Sequence, residues 1–159
     1  MPTISAGLLM YRFTRGVLQV FLIHPGGPFW SNRDLGSWSI PKGVVGTSED
    51  TVSAAKREFM EETGMEASGL MIPLNPLKQR SGKVVYAWAF RGDGDPSQLR
   101  SNTFTMEWPP RSGKLQEFPE ADRADWFDIG EAKSRILPGQ LGFLVQLEAI
   151  LREGHGENR

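Results

Sequence analysis

The 159-residue chain is predicted to be an α/β protein in which a mixed β-sheet lies between layers of helices. Apolar residues first follow strand-like patterns, then a helical pattern over residues 50–63, then strands again, and finally two helical segments. Strands and helices in this order build a sheet that helices cover. A hydrophobic content of 39% is enough for one sizeable core, so we expect residues 1–159 to form a single domain.

The first pair of strands is predicted at residues 4–11 and 17–24. Both segments are rich in β-branched and large apolar residues, and the polar segment 12–16 separates them, which is typical of a hairpin. The segment 24–36 contains two prolines and three glycines. It is therefore predicted to be a loop, leading to Trp38.

The central helix is predicted at residues 50–63. Thr47 or Ser48 is suited to cap its start, Asp50 is favourable at the positive end of its dipole, and Gly64 is a typical stop.

The remaining elements follow this helix. Strands are predicted at 70–79, 84–91, 103–108, 114–118 and 124–127. Helices are predicted at 129–135 and, after Pro138, at 141–151, and residues 154–159 are expected to be a frayed tail.

Three glutamates of the central helix, Glu58, Glu61 and Glu62, are spaced i, i+3 and i+4 and form an acidic stripe. The adjoining stripe is apolar and contains Val52, Ala55 and Phe59. A solvated charged face is one interpretation of the acidic stripe. A bound divalent cation is the other, because it would turn the repulsion between the carboxylates into attraction. Oxygen ligands without cysteine or a nearby histidine favour Mg²⁺ or Mn²⁺ over Zn²⁺.

The spacing around this helix resembles the Nudix box, G-x5-E-x7-R-E-U-x-E-E-x-G-U, in which U is a bulky apolar residue. Each fixed position is present, as Gly43, Glu49, Arg57, Glu58, Glu61, Glu62 and Gly64, with Phe59 and Met65 at the apolar positions. The chain is thus similar to the Nudix hydrolases, which cleave nucleoside diphosphates linked to a further group. The resemblance implies a Nudix-type α/β/α sandwich with a mixed β-sheet.

The resemblance also implies the metal ligands and the cofactor. The carboxylates of Glu58, Glu61 and Glu62 are expected to hold Mg²⁺, for which Mn²⁺ is a substitute, and the carbonyl group of Gly43 is a further expected ligand. Glu61 is also a candidate catalytic residue, and Glu58 is either a ligand or the catalytic base.

Two more residues complete the expected site. Arg57 is predicted to pair with Glu49 and so fix the loop against the helix, supporting catalysis without direct contact. Glu120 precedes a strand that contains Trp126, where several Nudix hydrolases acting on capped or dinucleoside polyphosphate substrates carry an added metal ligand or catalytic base. Glu117 is the competing candidate in the same segment, and a solvated Glu120 is the other alternative.

The residues before the box point to a substrate class. Trp38-Ser-Ile-Pro41-Lys42-Gly43 resembles the W-x-x-P-K-G signature of asymmetric dinucleoside-tetraphosphate hydrolases, whereas related bacterial RNA pyrophosphohydrolases have Gln where Lys42 stands. Lys42 is predicted to place its ammonium group against a polyphosphate. Trp38 is either a packing residue or a platform for a base.

Further phosphate and base contacts are expected from loops and aromatic segments. Arg80 and Lys83 are candidate phosphate contacts in one loop, as are Arg111 and Lys114 in another. The aromatic residues at 104–108 and at 29–30 are suited either to stack a purine or to pack in the core.

The composition limits the cellular location and the binding partners of the chain. The chain has no cysteine, which fits a reducing cytoplasm, and no segment approaches the roughly 18 apolar residues of a membrane span. A net charge of −1 argues against nonspecific binding to DNA. We therefore expect a cytoplasmic protein that binds neither DNA nor membranes, and its oligomeric state is left open.

The predicted function is Mg²⁺-dependent hydrolysis of a phosphoanhydride bond in a small-molecule nucleotide, foremost a dinucleoside polyphosphate such as diadenosine tetraphosphate. One alternative is a pyrophosphohydrolase that cleans the nucleoside triphosphate pool or acts on RNA 5′ ends. Another is a noncatalytic nucleotide sensor, although sensors of this family usually have an eroded box.

Overall fold

A computed structural model describes residues 3–154 of the chain. Its strands, in chain order, are β1 (Ile4–Thr14), β2 (Val17–Pro25), β3 (Lys42–Val44), β4 (Ile72–Pro73), β5 (Leu77–Lys78), β6 (Val84–Arg91), β7 (Thr103–Glu107), β8 (Leu115–Pro119) and β9 (Ala121–Asp128). Its α-helices are α1 (Thr51–Thr63), α2 (Ile129–Arg135) and α3 (Leu141–Gly154), and short 3₁₀ turns lie at Pro96–Gln98 and Pro138–Gln140.

The C-terminal helix continues to Gly154, so this residue of the tail expected at 154–159 belongs to a helix. The rest of that expected tail lies outside the described residues. Between residues 3 and 154, no helix is both long and apolar enough to cross a membrane.

The main sheet has β1 at its centre and is mixed. The strand order is β4-β6-β1-β2-β9, with β3 also paired to β1 and β5 to β6. β1 runs parallel to β6 and antiparallel to β2 and β3. Within residues 3–154, β7 and β8 pair only with each other, as a separate hairpin between β6 and β9.

Alternating side chains of β1 fill two cores, one on each face of the sheet. Leu8 and Met10 pack in the core that includes Phe59 of α1. Leu9 and Tyr11 pack on the opposite face, in the core that includes α2 and α3 residues. Because successive side chains of a strand point to opposite faces, this strand joins both layers. The predicted α/β/α sandwich with a mixed sheet is confirmed.

The first hairpin has a tighter turn than the sequence suggested. Thr14 pairs with Val17, so only Arg15 and Gly16 form the turn, with φ of 53° and 79°. Two-residue turns with positive φ match the twist of antiparallel strands and allow pairing up to the turn. The polar segment predicted as a connection at 12–16 is therefore largely strand.

The strand predicted at 70–79 is wrong as a continuous element. β4 and β5 both pair with β6 but are separate, and Pro76, which has no N–H group to donate, lies between them. Asn75 is not part of the sheet. Its N–H donates to the side-chain oxygen of Gln146, and its carbonyl accepts from the side-chain nitrogen of Gln146. The side chain of Gln146 in α3 thus replaces the strand-to-strand hydrogen bonds at Asn75.

The start of α1 also differs from the prediction. Asp50 is the N-cap, and its Oδ2 accepts from the N–H of Ser53 at 3.2 Å. Thr47 and Ser48 lie in the preceding turn, in which the N–H of Glu49 donates to the carbonyl of Gly46 at 3.2 Å. Gly64 ends the helix with φ of 77°, as predicted.

Candidate active site

Helix α1 presents its three glutamates at two depths. Glu58 and Glu62 face the protein and are 9% and 8% exposed, whereas Glu61 is half-buried. Buried carboxylates are rare unless they are paired or hold a metal. The two buried side chains therefore require a partner.

Arg57 joins the box loop to the helix. Its Nε and Nη2 donate to Oε2 and Oε1 of Glu49 at 2.7 and 2.9 Å. Its Nη1 donates to Oε2 of Glu58 at 2.9 Å and to Oε2 of Glu61 at 3.1 Å. Nη2 also donates to the carbonyl of Val44 at 3.1 Å. The pairing of Arg57 with Glu49 expected from the sequence is present, and it extends to two helix carboxylates.

This ion pair stays charged at neutral pH. The hydrogen bonds from Arg57 and from the N–H of Gly46 lower the pKa of Glu49 to about 2. Glu49 in turn raises the pKa of the Arg57 guanidinium. The loop before α1 is therefore fixed by an ionised contact.

Gly43 brings the backbone of β3 against a helix carboxylate. A methyl group added at Gly43 would lie 2.0 Å from the carboxyl carbon and from Oε1 of Glu58. Gly43 pairs with Ala6 of the central strand, so the sheet holds it in this position. Only glycine leaves the space between β3 and this carboxylate.

The buried carboxylates repel one another. Burial raises the pKa of Glu62 to about 8, with further contributions from the charges of Glu58 and Glu120, while the backbone N–H of Lys42 opposes the shift. Burial also raises the pKa of Glu58, although Arg57 opposes that shift. The charges of Glu58, Glu62 and Glu120 thus act on one another across the gap between α1 and the start of β9.

These residues fit a hard divalent cation. The candidate metal ligands are carboxylates and the backbone carbonyl of Gly43, and any residue larger than glycine at position 43 would fill the space beside them. Across residues 3–154, no three acidic or histidine side chains are already gathered at metal-site spacing. The guanidinium of Arg57 holds the carboxylates of Glu58 and Glu61 instead.

Glu120 is tied to α1 through backbone hydrogen bonds. The N–H of Asn102 donates to the carbonyl of Glu61 at 2.8 Å, and the N–H of Glu120 donates to the carbonyl of Asn102 at 2.8 Å. The carbonyl of Glu120 accepts from the N–H of Gly26 at 3.0 Å. Asn102 was not predicted, because it contributes through its backbone.

Glu117, the competing candidate, occupies a different environment. It is exposed on β8, and its Oε2 accepts from the hydroxyl of Thr103 at 2.9 Å. Glu120 is also exposed, yet it acts on the charges of Glu58 and Glu62. The geometry therefore favours Glu120 over Glu117 as the carboxylate beside the helix.

The ammonium of Lys42 feels the charges of Lys83 and of the carboxylates. Burial lowers the pKa of the Lys42 ammonium, and the charge of Lys83 lowers it further. Glu62 and Glu58 act in the opposite direction and raise it. Arg80 is exposed in the turn just before Lys83.

Arg111 and Lys114 are separated from this cluster. Both are exposed at the tip of the β7–β8 hairpin. Five residues of strand from its base at Thr103 correspond to about 16 Å. Arg80 and Lys83, by contrast, lie in the turn between β5 and β6.

Trp38 is a packing residue. It is 3% exposed, its Nε1 donates to Oδ1 of Asp34 at 2.8 Å, and its ring lies edge-on to Phe127 with centroids 4.9 Å apart. Of the two interpretations of Trp38 from the sequence, the structure supports packing.

His24 is a buried polar residue that the sequence interpretation did not identify. Nδ1 lies 2.8 Å from Oδ1 of Asp122, and Nε2 lies 2.6 Å from the carbonyl oxygen of Arg33. It thus ties the end of β2 to the start of β9, next to Glu120, and to the following loop. A histidine at the end of an apolar strand was the available signal.

The chain is similar to proteins of known name. A sequence model of the NUDIX domain matches residues 1–147. An RNA pyrophosphohydrolase of Agrobacterium fabrum is 27% identical, over 86% of this chain and 88% of that protein.

Solved structures share the fold. A C. elegans Ap4A hydrolase has a TM-score of 0.63 and 22% identity, covering 95% of this chain and 99% of its own. The NUDIX domain of Shewanella oneidensis NrtR, solved with ADP ribose, has a TM-score of 0.65 and 14% identity, covering 95% and 89%. The α/β/α sandwich described above is therefore of the Nudix type.

Proposed function

This chain belongs to the Nudix family and is a Nudix pyrophosphohydrolase, and we propose that it uses Mg²⁺ to hydrolyse a dinucleoside polyphosphate such as diadenosine tetraphosphate. Water would attack a phosphoanhydride bond and release a nucleoside triphosphate and a nucleoside monophosphate. Mn²⁺ is the proposed substitute cation. A cytoplasmic setting is part of the proposal and is supported by the absence of cysteine from the sequence.

One observation carries the proposal. Glu58 lies against the backbone of Gly43, where a larger residue would not fit, and burial and the charges of Glu58 and Glu120 raise the pKa of Glu62. Such an arrangement is costly without a cation and favourable with one. We assign Gly43, Glu58, Glu61, Glu62 and Glu120 as the residues that would hold it.

A divalent cation held there supplies charge neutralisation at phosphate oxygens and lowers the pKa of the attacking water. The chain itself would supply the base and the orientation. Glu58 and Glu120 are the two candidates for the base. Glu58 is held by Arg57, whereas Glu120 is exposed beside the cluster and so is better placed to take a proton from solvent.

Arg57 would act by positioning. It bridges the loop, through Glu49, to Glu58 and Glu61, so its loss would shift the carboxylates that hold the cation. It is therefore assigned a supporting role.

Lys42 supports the choice of a polyphosphate substrate. Lys42 is half-buried and feels the charges of Glu58, Glu62 and Lys83, and a second cation nearby is unfavourable unless anions separate the two. A polyphosphate chain beside the carboxylates would provide those anions. Arg80, in the adjoining turn, is the weaker phosphate contact.

A second candidate substrate is the 5′ end of an RNA. The observation that favours it is the similarity to the RNA pyrophosphohydrolase of Agrobacterium fabrum over most of both chains. The reaction would remove pyrophosphate and leave a 5′-monophosphate. It would use the same carboxylates.

The products distinguish these substrates. The protein would be incubated with Mg²⁺ and, separately, diadenosine tetraphosphate, nucleoside triphosphates, ADP-ribose and 5′-triphosphorylated RNA, followed by chromatography. ATP plus AMP from the dinucleotide would support the proposal, and pyrophosphate from RNA alone would support the second candidate. Pyrophosphate from free triphosphates alone would indicate pool cleaning, and binding without turnover of any compound would refute hydrolysis of these substrates.

A further inference from the structure

Strand β9 has one extra residue near its start, where it pairs with the end of β2. His24 pairs with Arg123, but the next residue of β2, Pro25, pairs with Ala121. One step along β2 thus corresponds to two steps along β9, and Asp122 is the extra residue of a β-bulge. Because bulges often re-aim side chains beside active sites, the register at this point bears on the site.

The bulge changes which face of the sheet the start of β9 contacts. Ala121 and Trp126 are five residues apart, so in an unbroken strand their side chains would face opposite sides. Both nevertheless pack in the core that α1 covers. Glu120 follows the shifted register, because its carbonyl accepts from the N–H of Gly26 at 3.0 Å.

His24 holds the side chain of the extra residue. It is fully buried, with Nδ1 2.8 Å from Oδ1 of Asp122 and Nε2 2.6 Å from the carbonyl oxygen of Arg33. A carbonyl oxygen only accepts, so Nε2 donates to it. A proton must also lie between Nδ1 and Oδ1, because two bare acceptors at this distance would repel each other. His24 therefore hydrogen-bonds to Asp122 whichever atom carries that proton.

The neighbours of this pair make His24 the main anchor of the bulge. The ring of His24 lies edge-on to the ring of Trp38, with centroids 5.3 Å apart. The other charged neighbour of Asp122 is Arg123, whose Nε is 3.8 Å from the same oxygen and whose side chain is exposed. A buried hydrogen bond is stronger than a long ion pair in solvent.

Backbone contacts pass the position of the bulge on to helix α1. A methyl group added at Gly26 would meet the carbonyl oxygen of Pro119 at 2.0 Å, so the two backbones touch. The N–H of Glu120 donates to the carbonyl of Asn102, and the N–H of Asn102 donates to the carbonyl of Glu61. A change at the bulge would therefore move Glu120 relative to the helix.

We propose that His24 is a positioning residue of the metal site: by holding Asp122, it fixes the register that places Glu120 beside the carboxylates of α1. The inference rests on the proposed function, which assigns Glu120 to the cation. His24 itself would touch neither the cation nor the substrate. Hydrogen bonds outside the ligand shell orient ligands in this way, and their loss commonly lowers metal affinity about 10- to 100-fold.

Two variants separate the contacts of His24. The amide nitrogen of asparagine lies near the position of Nδ1, so His24→Asn keeps a donor for Asp122. The amide nitrogen of glutamine lies near the position of Nε2, so His24→Gln keeps a donor for the carbonyl of Arg33 and loses the contact with Asp122. Each variant would be made in the parent and in Glu120→Gln, which gives a double-mutant cycle.

A control variant breaks a comparable contact elsewhere. Gln146 holds the backbone of Asn75 through two hydrogen bonds, and it belongs to α3, on the opposite face of the sheet from α1. Gln146→Leu therefore measures the effect of destabilising the fold alone. Melting temperatures would be recorded for every variant.

The readout is the affinity of the metal-free protein for Mn²⁺, measured by electron paramagnetic resonance of the free ion. His24→Gln should bind Mn²⁺ about tenfold more weakly than the parent, and His24→Asn within about threefold of it. In Glu120→Gln, His24→Gln should have no further effect, because it acts through Glu120. Gln146→Leu should keep the parent affinity even where its melting temperature falls. Asp122→Ala removes the same contact from the exposed side, and it should match His24→Gln and replace it if that variant does not fold.

The inference and the function fail in different ways. Parent affinity in His24→Gln, or the same loss with and without the carboxylate of Glu120, would overturn the role of His24. If the parent hydrolyses diadenosine tetraphosphate with Mn²⁺ while His24→Gln binds Mn²⁺ equally well, only the inference is overturned. If the parent binds Mn²⁺ but hydrolyses none of the compounds, the function is overturned, and the cycle still decides the role of His24.

Discussion

Arg57 and Glu49 form a paired ion bridge in which two guanidinium nitrogens meet two carboxylate oxygens at 2.7 and 2.9 Å. The same guanidinium holds Glu58 and Glu61. One arginine therefore sets both the loop before α1 and the carboxylates on it. Paired contacts of this kind fix orientation as well as distance.

Glu49→Gln is expected to lower the melting temperature at pH 7, and the difference from the parent should vanish in acid. The pKa of Glu49 falls from 4.5 to about 2 on folding, so between these values the unfolded chain holds more protons. Its stabilisation is therefore full above pH 4.5 and is lost as the pH falls through 2. Thermal unfolding from pH 7 down to below pH 2 would measure it.

The control for this experiment is Glu66→Gln, which changes an exposed carboxylate just beyond the same helix. Its melting temperature should follow the parent at every pH. Equal curves for Glu49→Gln and Glu66→Gln would refute the role of the ion bridge.

Gly43→Ala is expected to lower kcat about 100-fold without unfolding the protein. The added methyl group would overlap the end of the Glu58 side chain, which can rotate away, but the carboxylate would then leave its place. Gly130→Ala is the matched control, since a methyl group there meets nothing within 4 Å. Hydrolysis rates and circular dichroism would be compared, and full activity in Gly43→Ala would contradict the proposed cradle.

The same residues show how far the sequence predicts the site. Helix periodicity predicted that Glu58, Glu61 and Glu62 share one face. Gly43 was expected from the resemblance to the Nudix box. The pairing of Arg57 with Glu49 was also predicted, and the structure contains it.

Contacts between residues far apart in the chain were not predicted from the sequence. His24 and Asp122 are 98 residues apart, and their contact depends on the pairing of β2 with β9. The position of Arg111, at the tip of a hairpin, depends likewise on how that hairpin leaves the sheet. Such relations are set by tertiary packing, which local patterns do not encode.

The secondary structure was likewise predicted well where it depends on local sequence and poorly where it depends on tertiary contacts. The helix predicted at 129–135 coincides with α2, and the strand predicted at 84–91 coincides with β6, because both segments have a clear period. The break between β4 and β5 falls at Pro76 and at Asn75, whose partner Gln146 is far along the chain. Local apolar content alone suggested one strand there.

Glu62→Gln should abolish most activity while leaving the metal-free protein at least as stable as the parent. Burial and the charges of Glu58 and Glu120 disfavour a carboxylate at this position, whereas a neutral amide has nearly the same shape. We expect kcat to fall about 100-fold or more, as when a charge-stabilising group is lost. A large fall in melting temperature in EDTA would show instead that Glu62 supports the fold.

Lys42→Met is expected to raise KM for diadenosine tetraphosphate about tenfold, the loss of one charged hydrogen bond. Methionine keeps much of the buried stem but removes the ammonium group. Lys56→Met, an exposed position on α1, is the control. Initial rates over a range of substrate concentrations would measure the effect, and equal KM values in the two variants would remove Lys42 from phosphate binding.

The most direct measurement is the Mg²⁺ dependence of diadenosine tetraphosphate hydrolysis by protein freed of metal with EDTA. Glu120→Gln would be compared with Glu117→Gln, because these glutamates lie three residues apart and only Glu120 acts on the charges of Glu58 and Glu62. We predict that Mg²⁺ restores ATP and AMP production in the parent and in Glu117→Gln, while Glu120→Gln stays at least about tenfold slower. Hydrolysis that persists in EDTA, or that both variants retain equally, would contradict the proposed metal-dependent site.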